Sequence, residues 1–234
     1  MTDIDGTLTA DNIANNIEPQ VIETIKRLEK SGIIIGLVSG RTYIRVDTLA
    51  EELHINGPLI AENGALARLK PGADFLDFGF SRQPALKALE ILKLKYPGKI
   101  KEREDNLERK IDAVFWSLGI PTTELAQHLT DAQLLDSGYI LHVMQKGISK
   151  GETLAKLLNY LDDGNISTSE VMVMGDSITD RSLFELFEHS VLIPNPKVPE
   201  EDKPVLNALA RYVSNKSCGE GFIEVAEHII KARS

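Results

Sequence analysis

The sequence is poor in cysteine and lacks any hydrophobic run of membrane-spanning length. Among its 234 residues Cys218 is the only cysteine, so no disulfide can form within the chain, and a reducing cytosol is the expected compartment. The longest apolar runs, such as residues 33–38, are far shorter than the ~20 residues that a transmembrane helix needs. No charged segment followed by an apolar one precedes the first motif, so secretion is not expected. The sequence therefore predicts a cytoplasmic protein that does not span a membrane.

Positive charge is also scarce in this chain. There are 26 Lys and Arg residues against 35 Asp and Glu residues, which gives a formal net charge of −9. An acidic surface repels nucleic-acid backbones and anionic lipid, so neither is an expected partner. A small anionic substrate is compatible with this charge, because a metal ion and a few local cations can reverse the field inside one cleft.

Short apolar runs alternate with amphipathic stretches along much of the chain. The runs at residues 33–38, 58–61, 171–174 and 191–193 are continuously apolar, as is typical of strands covered on both faces of a parallel sheet. Two apolar stripes at helical spacing predict helices: Val21, Ile22, Ile25 and Leu28, and Leu154, Leu157, Leu158 and Leu161. The alternation predicts an α/β fold with a doubly wound, Rossmann-like parallel sheet.

Residues 81–145 follow a different pattern. Helices are predicted at residues 84–95 and 122–129, and strands at 111–116, 132–135 and 139–144. Ser137-Gly138 is a tight-turn pair, so the last two strands should form a hairpin. We expect an α+β cap with an antiparallel sheet at its centre, inserted into a core formed by residues 1–80 and 146–234. The aromatic residues Phe115, Trp116 and Tyr139 are expected in the core of this insert.

Two acidic pairs lie next to predicted strands. Asp3 and Asp5 are two residues apart, and Gly6 after them lets the backbone turn sharply and approach a ligand closely. Asp176 follows the run at 171–174, and Asp180 should lie in the first turn of the next helix. In open α/β sheets ligands bind at the carboxyl ends of strands, where carboxylate oxygens suit Mg²⁺. Taken singly, a polar turn explains the first pair and an N-capped helix explains the second.

A hydroxyl and a lysine add two further clusters. Ser39 and Gly40 follow the run at 33–38, and a hydroxyl with backbone N–H groups at a helix start forms an anion-binding corner. A helix N-cap by Ser39 explains the same residues. Lys150 begins the leucine-rich helix, where a lysine opposes the helix dipole unless an anion lies nearby. An exposed lysine is the plain alternative.

Together the four clusters resemble, in order and spacing, the motifs of the haloacid dehalogenase-like phosphatases. The matching segments are Asp3-Ile4-Asp5-Gly6-Thr7, Ser39, Lys150, and Gly175-Asp176 through Asp180. The resemblance covers essentially the whole chain, and the insert resembles the large cap that one branch carries between the second and third motifs. Within that branch the small cap is similar to archaeal-type phosphoglycolate phosphatases, and more distantly to sucrose-phosphate and mannosyl-3-phosphoglycerate phosphatases.

The resemblance implies a Mg²⁺-dependent phosphate monoester hydrolase that works through a phosphoaspartate. Asp3 would be the nucleophile, and Asp5 would act first as acid and then as base. The implied metal ligands are Asp3, Asp5 through its backbone carbonyl, Asp176, and Asp180 as a ligand or a support. The implied phosphate-binding residues are Ser39, Gly40 and Lys150.

Four more residues are candidates for substrate binding: Arg41, Glu62, Asn63 and His142. His142 lies late in a predicted strand near the end of the insert, where it could face the cleft or the cap interior. Arg41 could instead solvate its helix, and Glu62 with Asn63 could form a polar turn before Gly64.

The sequence departs from the family pattern at two places. Thr179 stands where the fourth motif usually has Asn, so we expect altered support of that loop without loss of function. Only Met1 and Thr2 precede Asp3, whereas a central strand normally has about five residues. A shortened first strand, or a start further upstream, is the expectation.

Three functions are compatible with these motifs to different degrees. A small cap favours a small acid such as 2-phosphoglycolate over a sugar phosphate or a mannosyl- or glucosyl-3-phosphoglycerate. A phosphomutase on the same scaffold would return the phosphoryl group to its substrate. A response-regulator receiver also has an acidic pocket with a lysine, but its phosphoacceptor is not followed two residues later by a second Asp, and it has no large insert. The sequence does not indicate an oligomeric state.

Overall fold

Strands and helices alternate along most of the chain. The computed structural model describes residues 1–9, 16–161 and 164–233. Its strands are β1 (Leu37–Val38), β2 (Leu59–Ala61), β3 (Leu66–Arg68), β4 (Ile100–Glu102), β5 (Ala113–Ser117), β6 (Ala132–Asp136), β7 (Leu141–Gln145), β8 (Met172–Gly175), β9 (His189–Leu192) and β10 (Tyr212–Val213). Its α-helices are α1 (Pro19–Lys30), α2 (Tyr43–Glu52), α3 (Gln83–Lys95), α4 (Thr122–Ala126), α5 (Lys150–Leu158), α6 (Arg181–Leu186), α7 (Lys203–Leu209) and α8 (Cys218–Arg233).

The first residues of the chain join two three-stranded sheets. Thr2 forms parallel bridges to Leu37 of β1 on one side and to Met174 of β8 on the other. The strand orders are β1-β2-β3 and β10-β9-β8, and every pair is parallel except β2 with β3. The backbone N–H of Asp3 donates to the carbonyl of Met174 at 2.9 Å, which places Asp3 at the carboxyl end of β8.

Helices cover both faces of this sheet. One buried cluster combines α1, α2 and α8 through residues such as Ile25, Leu49 and Phe222. The other combines α5, α6 and α7 through residues that include Leu154 and Leu183. The prediction of a doubly wound α/β core is confirmed. No helix of the described ranges has the length and apolar character needed to cross a membrane.

The segment between β3 and α5 holds a second, antiparallel sheet. Its order is β4-β5-β7-β6, and the predicted hairpin is the pair β6 and β7. Leu92 of α3 and Leu125 of α4 pack with Phe115 on one face. Met144, on the opposite face, packs with Ala65 of the core. We propose that residues 81–145 form a cap on a core of residues 1–80 and 146–234.

Two local predictions differ from the structure. In the apolar run at 33–38 only Leu37–Val38 pairs with β2, and Ile34 is 74% exposed before the strand begins. The prediction that Tyr139 lies in the core of the insert is wrong, because Tyr139 lies in the turn between β6 and β7 and is 57% exposed. Phe115 is fully buried, as predicted, and Trp116 is half-buried.

Glu62 connects the cap to the core. It follows β2 and is fully buried. Its Oε1 accepts the N–H of Lys110 at 2.9 Å, and its Oε2 accepts those of Ile111 and Asp112 at 2.9 and 3.0 Å. Burial and the nearby Asp112 raise the pKa of Glu62 to about 7, although the three N–H groups favour its carboxylate. One side chain therefore fixes the backbone that leads into β5.

We expect Glu62→Gln to lower the free energy of unfolding by about 1–3 kcal/mol, because an amide NH₂ would face a backbone N–H and leave a buried donor without an acceptor. Urea unfolding followed by circular dichroism measures this. Glu90→Gln on the exposed side of α3 is the control and should change the free energy by less than about 0.5 kcal/mol. Equal stability of the two variants would contradict the anchoring role of Glu62.

Candidate active site

Polar side chains from four parts of the chain meet at the carboxyl ends of the core strands. Asp3 follows the bridging residue Thr2, Ser39 follows β1, and Asp176 follows β8. Lys150 reaches the same place from the first residue of α5. All four of these polar side chains are buried. The parallel arrangement of the sheet brings them together, because parallel strands end at the same edge.

The Lys150 ammonium links two of the carboxylates. Its Nζ donates to Asp3 Oδ1 at 2.6 Å and to Asp180 Oδ1 at 2.7 Å. Burial disfavours the charge of Lys150, but the carboxylates of Asp180 and Asp3 outweigh burial and raise its pKa. The two anions also offset the unfavourable position of a cation at a helix N-terminus. The alternative of an exposed lysine does not fit this structure.

Three carboxylates form a candidate metal site. One oxygen from each of Asp3, Asp176 and Asp180 lies within 4.8 Å of the other two. Burial raises the pKa of Asp176 to about 7, with Asp180 adding to the effect and a hydrogen bond from Asn195 opposing it. Burial also raises the pKa of Asp3 well above its usual value, although Lys150 opposes this. Buried, crowded oxygen ligands suit a hard dication such as Mg²⁺, so the donor set fits the metal that the family motif implies.

Asp180 supports this site through hydrogen bonds to Lys150 and to the loop that carries Asp176. Its Oδ2 accepts the backbone N–H groups of Asp176 and Ser177 at 3.1 and 3.2 Å, while its Oδ1 accepts Lys150. The hydroxyl of Thr179 accepts from Lys150 Nζ at 3.2 Å and lies 2.9 Å from the Ser177 hydroxyl. Thr179 therefore takes part in the loop's hydrogen bonding, as expected for a hydroxyl in place of the usual amide.

Asp176 is oriented by residues from two other loops. Asn195 Nδ2 donates to its Oδ2 at 2.7 Å, and the Thr7 hydroxyl donates to its Oδ1 at 3.4 Å. Gly6, with φ of +83°, passes so close that an added Cβ would lie 2.4 Å from Asp176 Oδ2. Asn195 was not predicted from the sequence, since it lies in a proline-rich loop with no motif of its own. Its position follows from the packing of that loop against β8.

Ser39 and Asn63 form a second polar surface beside Asp3. The Ser39 Oγ accepts the backbone N–H of Arg41 at 3.2 Å, and both Ser39 and Asn63 are buried. Asn63 Nδ2 is a buried donor without a hydrogen-bond partner among the described residues. An added Cβ on Gly40 would lie 2.9 Å from the Asn63 amide, so only glycine permits this approach. The Asn63 amide N–H is therefore available to donate to an acceptor atom of a bound ligand.

Asp5 is paired with Arg41. The Arg41 Nε donates to Asp5 Oδ2 at 2.9 Å, and its Nη2 donates to Oδ1 at 2.6 Å. This is a bidentate pair, the geometry that guanidinium and carboxylate groups form best. The Arg41 side chain is 8% exposed and that of Asp5 is 29% exposed. Arg41 therefore does not merely solvate its helix.

The cap contributes a buried charged group to the site. His142 Nδ1 lies 2.8 Å from Asp112 Oδ2, and Arg109 Nη1 donates to Asp112 Oδ1 at 2.7 Å and to the Gly40 carbonyl at 3.2 Å. Burial lowers the pKa of His142, although Asp112 opposes this. Burial disfavours the charge of Asp112, but Arg109 and His142 outweigh it and lower its pKa.

A cavity of about 610 Å³ connects these groups between core and cap. The predicted site residues that line it are Asp3, Asp5, Ser39, Gly40, Arg41, Asn63, His142, Lys150 and Asp176. Asp180 does not line the cavity, but it accepts hydrogen bonds from two residues that do, Lys150 and Asp176. Glu62 does not line the cavity, because both its oxygens are taken by cap backbone. Its predicted contact with substrate is therefore corrected to the anchoring role described above.

Several residues that line the cavity were missed in the sequence: Arg45, Arg103, Arg109, Tyr139, Asn195 and Lys197. None belongs to a short motif: Arg103, Arg109 and Tyr139 reach the cavity from the cap, whereas Arg45, Asn195 and Lys197 reach it from α2 and the loop after β9. A weak signal existed for Arg103 and Arg109, which lie in the charged segment between α3 and β5, but the charge pattern alone is also typical of a solvated surface.

Comparisons with known proteins agree with the fold and the motifs. The profile of the haloacid dehalogenase-like hydrolases matches residues 1–108 and 122–221. A phosphoglycolate phosphatase of Methanoculleus marisnigri is 29% identical over 97% of this chain and 94% of its own length. Phosphoglycolate phosphatase 1 of Saccharolobus solfataricus is 29% identical over 99% of this chain and 95% of its own.

Two solved structures are similar to this chain in fold. Protein 0175 of Thermoplasma acidophilum has a TM-score of 0.80 and 26% identity, and covers 97% of this chain and 95% of its own. A sugar phosphatase of subclass IIB has a TM-score of 0.71 at 18% identity, covers 97% of each chain, and shows the fold alone.

The chain belongs to the haloacid dehalogenase-like hydrolase family. Within that family it is a phosphatase.

The raised pKa values predict that a divalent cation binds with release of protons. Without metal, Asp176 is half protonated near pH 7, and a cation must displace that proton to bind the carboxylate. The apparent affinity for Mg²⁺ should therefore rise with pH between 6 and 7, by up to about tenfold per pH unit for each proton that binding displaces. Calorimetric titration in two buffers of different ionisation enthalpy measures the protons released. An affinity for Mg²⁺ that does not change between pH 6 and 8 would contradict the assignment.

Proposed function

We propose that the protein is a Mg²⁺-dependent phosphate monoester hydrolase that acts on a small phosphorylated acid, with 2-phosphoglycolate as the best candidate. The observation that supports it most directly is the meeting of Asp3, Lys150 and Asp176 at one end of a cavity, with Asp5 beside them. A nucleophile, a cation and an acid or base are thereby available within one enclosed space.

In the first step Asp3 attacks the phosphorus atom. An Asp3 carboxylate oxygen forms the new P–O bond, the bond from phosphorus to the ester oxygen breaks, and Asp5 gives a proton to that oxygen. The alcohol leaves, and the phosphoryl group remains on Asp3 as an acyl phosphate. Asp5 suits this role because it lines the cavity and is more exposed than Asp3.

In the second step water attacks the phosphorus atom of the phosphoaspartate. Asp5, now a carboxylate, takes a proton from that water, and the bond from phosphorus to the Asp3 oxygen breaks. Inorganic phosphate leaves and the Asp3 carboxylate is restored. The same side chain thus serves as acid and then as base, which returns the site to its starting protonation.

The metal would be held by Asp3, by the backbone carbonyl of Asp5 and by Asp176. Asp180 is better placed to support Asp176 than to bind the metal, because its oxygens already accept Lys150 and two backbone N–H groups. When bound, Mg²⁺ shields the nucleophile from the phosphate dianion and stabilises charge in the transition state.

The phosphoryl oxygens need donors, and three groups can provide them. Lys150 brings a buried positive charge, Ser39 a hydroxyl, and Asn63 an amide N–H that has no partner in the described structure. Positioning and charge stabilisation dominate phosphoryl transfer, so these donors are the main contribution of the chain to rate besides Asp3 and Asp5.

The proposed substrate is based on the relatives and on the cavity. Two relatives that match nearly the whole chain are phosphoglycolate phosphatases. Four arginines line the cavity, Arg41 and Arg45 from the core and Arg103 and Arg109 from the cap, which suits a leaving group that carries an anion. Sugar phosphates, mannosyl- or glucosyl-3-phosphoglycerate, and a phosphomutase reaction remain the alternatives. Absence of nucleic-acid partners and a cytoplasmic location remain expectations from the sequence.

Phosphate release from a panel of esters tests the proposed function. With Mg²⁺ the protein should release inorganic phosphate from 2-phosphoglycolate faster than from glucose 6-phosphate, while EDTA should abolish release and added Mg²⁺ restore it. Ca²⁺ should inhibit, because its larger and looser coordination shell misplaces the nucleophile. Full turnover in EDTA would remove the metal from the proposal, and an isomerised sugar phosphate in place of free phosphate would favour the phosphomutase.

Asp5→Asn should separate the two steps. Alkyl phosphates leave as basic alkoxides and need the proton, so their first step should slow by about 10²–10⁴-fold, whereas p-nitrophenyl phosphate needs little help. Asn cannot take a proton from water, so the variant should give a burst of nitrophenolate near one equivalent, then slow turnover and a trappable phosphoenzyme.

Asp3→Asn is the matched control, since it should give neither burst nor turnover. Equal slowing of alkyl and aryl phosphates by Asp5→Asn, without accumulation of phosphoenzyme, would assign the acid and base role to another residue.

A further inference from the structure

We infer that Arg41 recognises a carboxylate on the leaving group by exchanging its present partner, Asp5, for that carboxylate. The inference rests on the proposed function, because it takes Asp5 as the group that faces the ester oxygen. It assigns the preference for an acidic leaving group to one side chain of the core rather than to the cap alone.

Among the described cations that line the cavity, Arg41 is the one that is paired with the proposed acid and base, Asp5. Lys150 is held by Asp3 and Asp180 at the phosphate end of the cavity. Arg109 is 3% exposed and committed to Asp112 and to the Gly40 carbonyl. Asp5, in contrast, must have an oxygen directed at the leaving group during the reaction.

Both oxygens of Asp5 are engaged by Arg41 in this structure. The guanidinium donates to Oδ1 at 2.6 Å and to Oδ2 at 2.9 Å, so the fork occupies the inner lone pairs of the carboxylate. Contact of Asp5 with an ester oxygen is best made after the fork moves away. A second carboxylate that draws the guanidinium away therefore also makes Asp5 available.

The spacing fits a carboxylate one carbon away from the ester oxygen. An acid touches its leaving oxygen at about 2.6–3.2 Å, so the guanidinium lies within roughly two hydrogen-bond lengths, about 6 Å, of that oxygen. In 2-phosphoglycolate the carboxylate oxygens lie roughly 3 Å from the ester oxygen, since one methylene separates the two groups. They can thus reach Arg41 without movement of the helix that follows it.

The exchange also keeps Arg41 neutralised. Its side chain is 8% exposed, and burial makes the loss of a charged contact costly. A leaving group with a carboxylate replaces one anion by another, whereas a neutral leaving group offers no replacement and leaves the pair with Asp5 intact. Binding of the substrate carboxylate to Arg41 and separation of Asp5 from Arg41 are therefore one exchange of contacts.

The test compares two esters that differ only at the recognised group. Ethyl phosphate has a methyl group where 2-phosphoglycolate has its carboxylate. In the wild-type protein with Mg²⁺, kcat/KM should favour 2-phosphoglycolate by about 10- to 100-fold, as expected for a hydrogen-bonded charged pair. In Arg41→Met this ratio should fall to near one, because only 2-phosphoglycolate loses a contact with the guanidinium.

A matched control is Arg27→Met. Arg27 also forms a two-contact pair with a carboxylate, that of Glu227, but it lies on α1 and does not line the cavity. The substrate ratio should be unchanged in this variant. Arg41→Lys keeps the charge without the planar fork and should give an intermediate ratio, so it carries the test if Arg41→Met does not fold.

Product inhibition separates recognition from a structural role. Glycolate should inhibit the wild-type protein, and its inhibition constant should rise at least about tenfold in Arg41→Met, while that of inorganic phosphate should stay unchanged. A ratio of esters that persists in both Arg41 variants would overturn the inference, as would an equal loss for both esters. Absence of phosphate release from every ester by the wild-type protein would overturn the proposed function itself, and the inference with it.

Discussion

The buried contact of Lys150 with Asp3 and Asp180 is the interaction on which the site depends. Three carboxylates within 4.8 Å of one another would repel strongly in a buried place, and one ammonium offsets part of that repulsion. The contact ties the start of α5 to the first residues of the chain and to the loop after β8. The ends of three separate elements are thereby fixed in one arrangement, which a catalytic site needs.

A second buried charged group organises the cap in the same way. Arg109, Asp112 and His142 neutralise one another inside the cap, and Glu62 binds the backbone beside them. The two groups are joined at Gly40, whose carbonyl accepts from Arg109 while its neighbour Ser39 lines the same cavity as Asp3. The buried charged group of the cap and the polar end of the cavity therefore meet at the same short loop.

The sequence predicted the core of this arrangement because the relevant residues sit at strand ends, where local patterns are strong. Asp3, Ser39 and Asp176 each follow an apolar run or a bridging residue, so parallel pairing alone brings them together. Asn195 and Arg103 could not be predicted, since their positions depend on how separate segments pack. Glu62 was misassigned for the same reason: a carboxylate near a cleft and one that caps a neighbouring backbone look alike until the cap is placed.

The lining of the cavity is much less acidic than the molecule as a whole. Among the described residues that line it, six are Lys or Arg and five are Asp, whereas the whole chain carries a formal charge of −9. A bound dication would add two positive charges to this lining, so the field inside becomes attractive to anions while the outer surface repels them. Only a ligand small enough to enter gains from the interior field without meeting the repulsion outside. A large polyanion would keep most of its charge against the acidic exterior, so this charge distribution would favour a small anion such as the proposed phosphorylated acid.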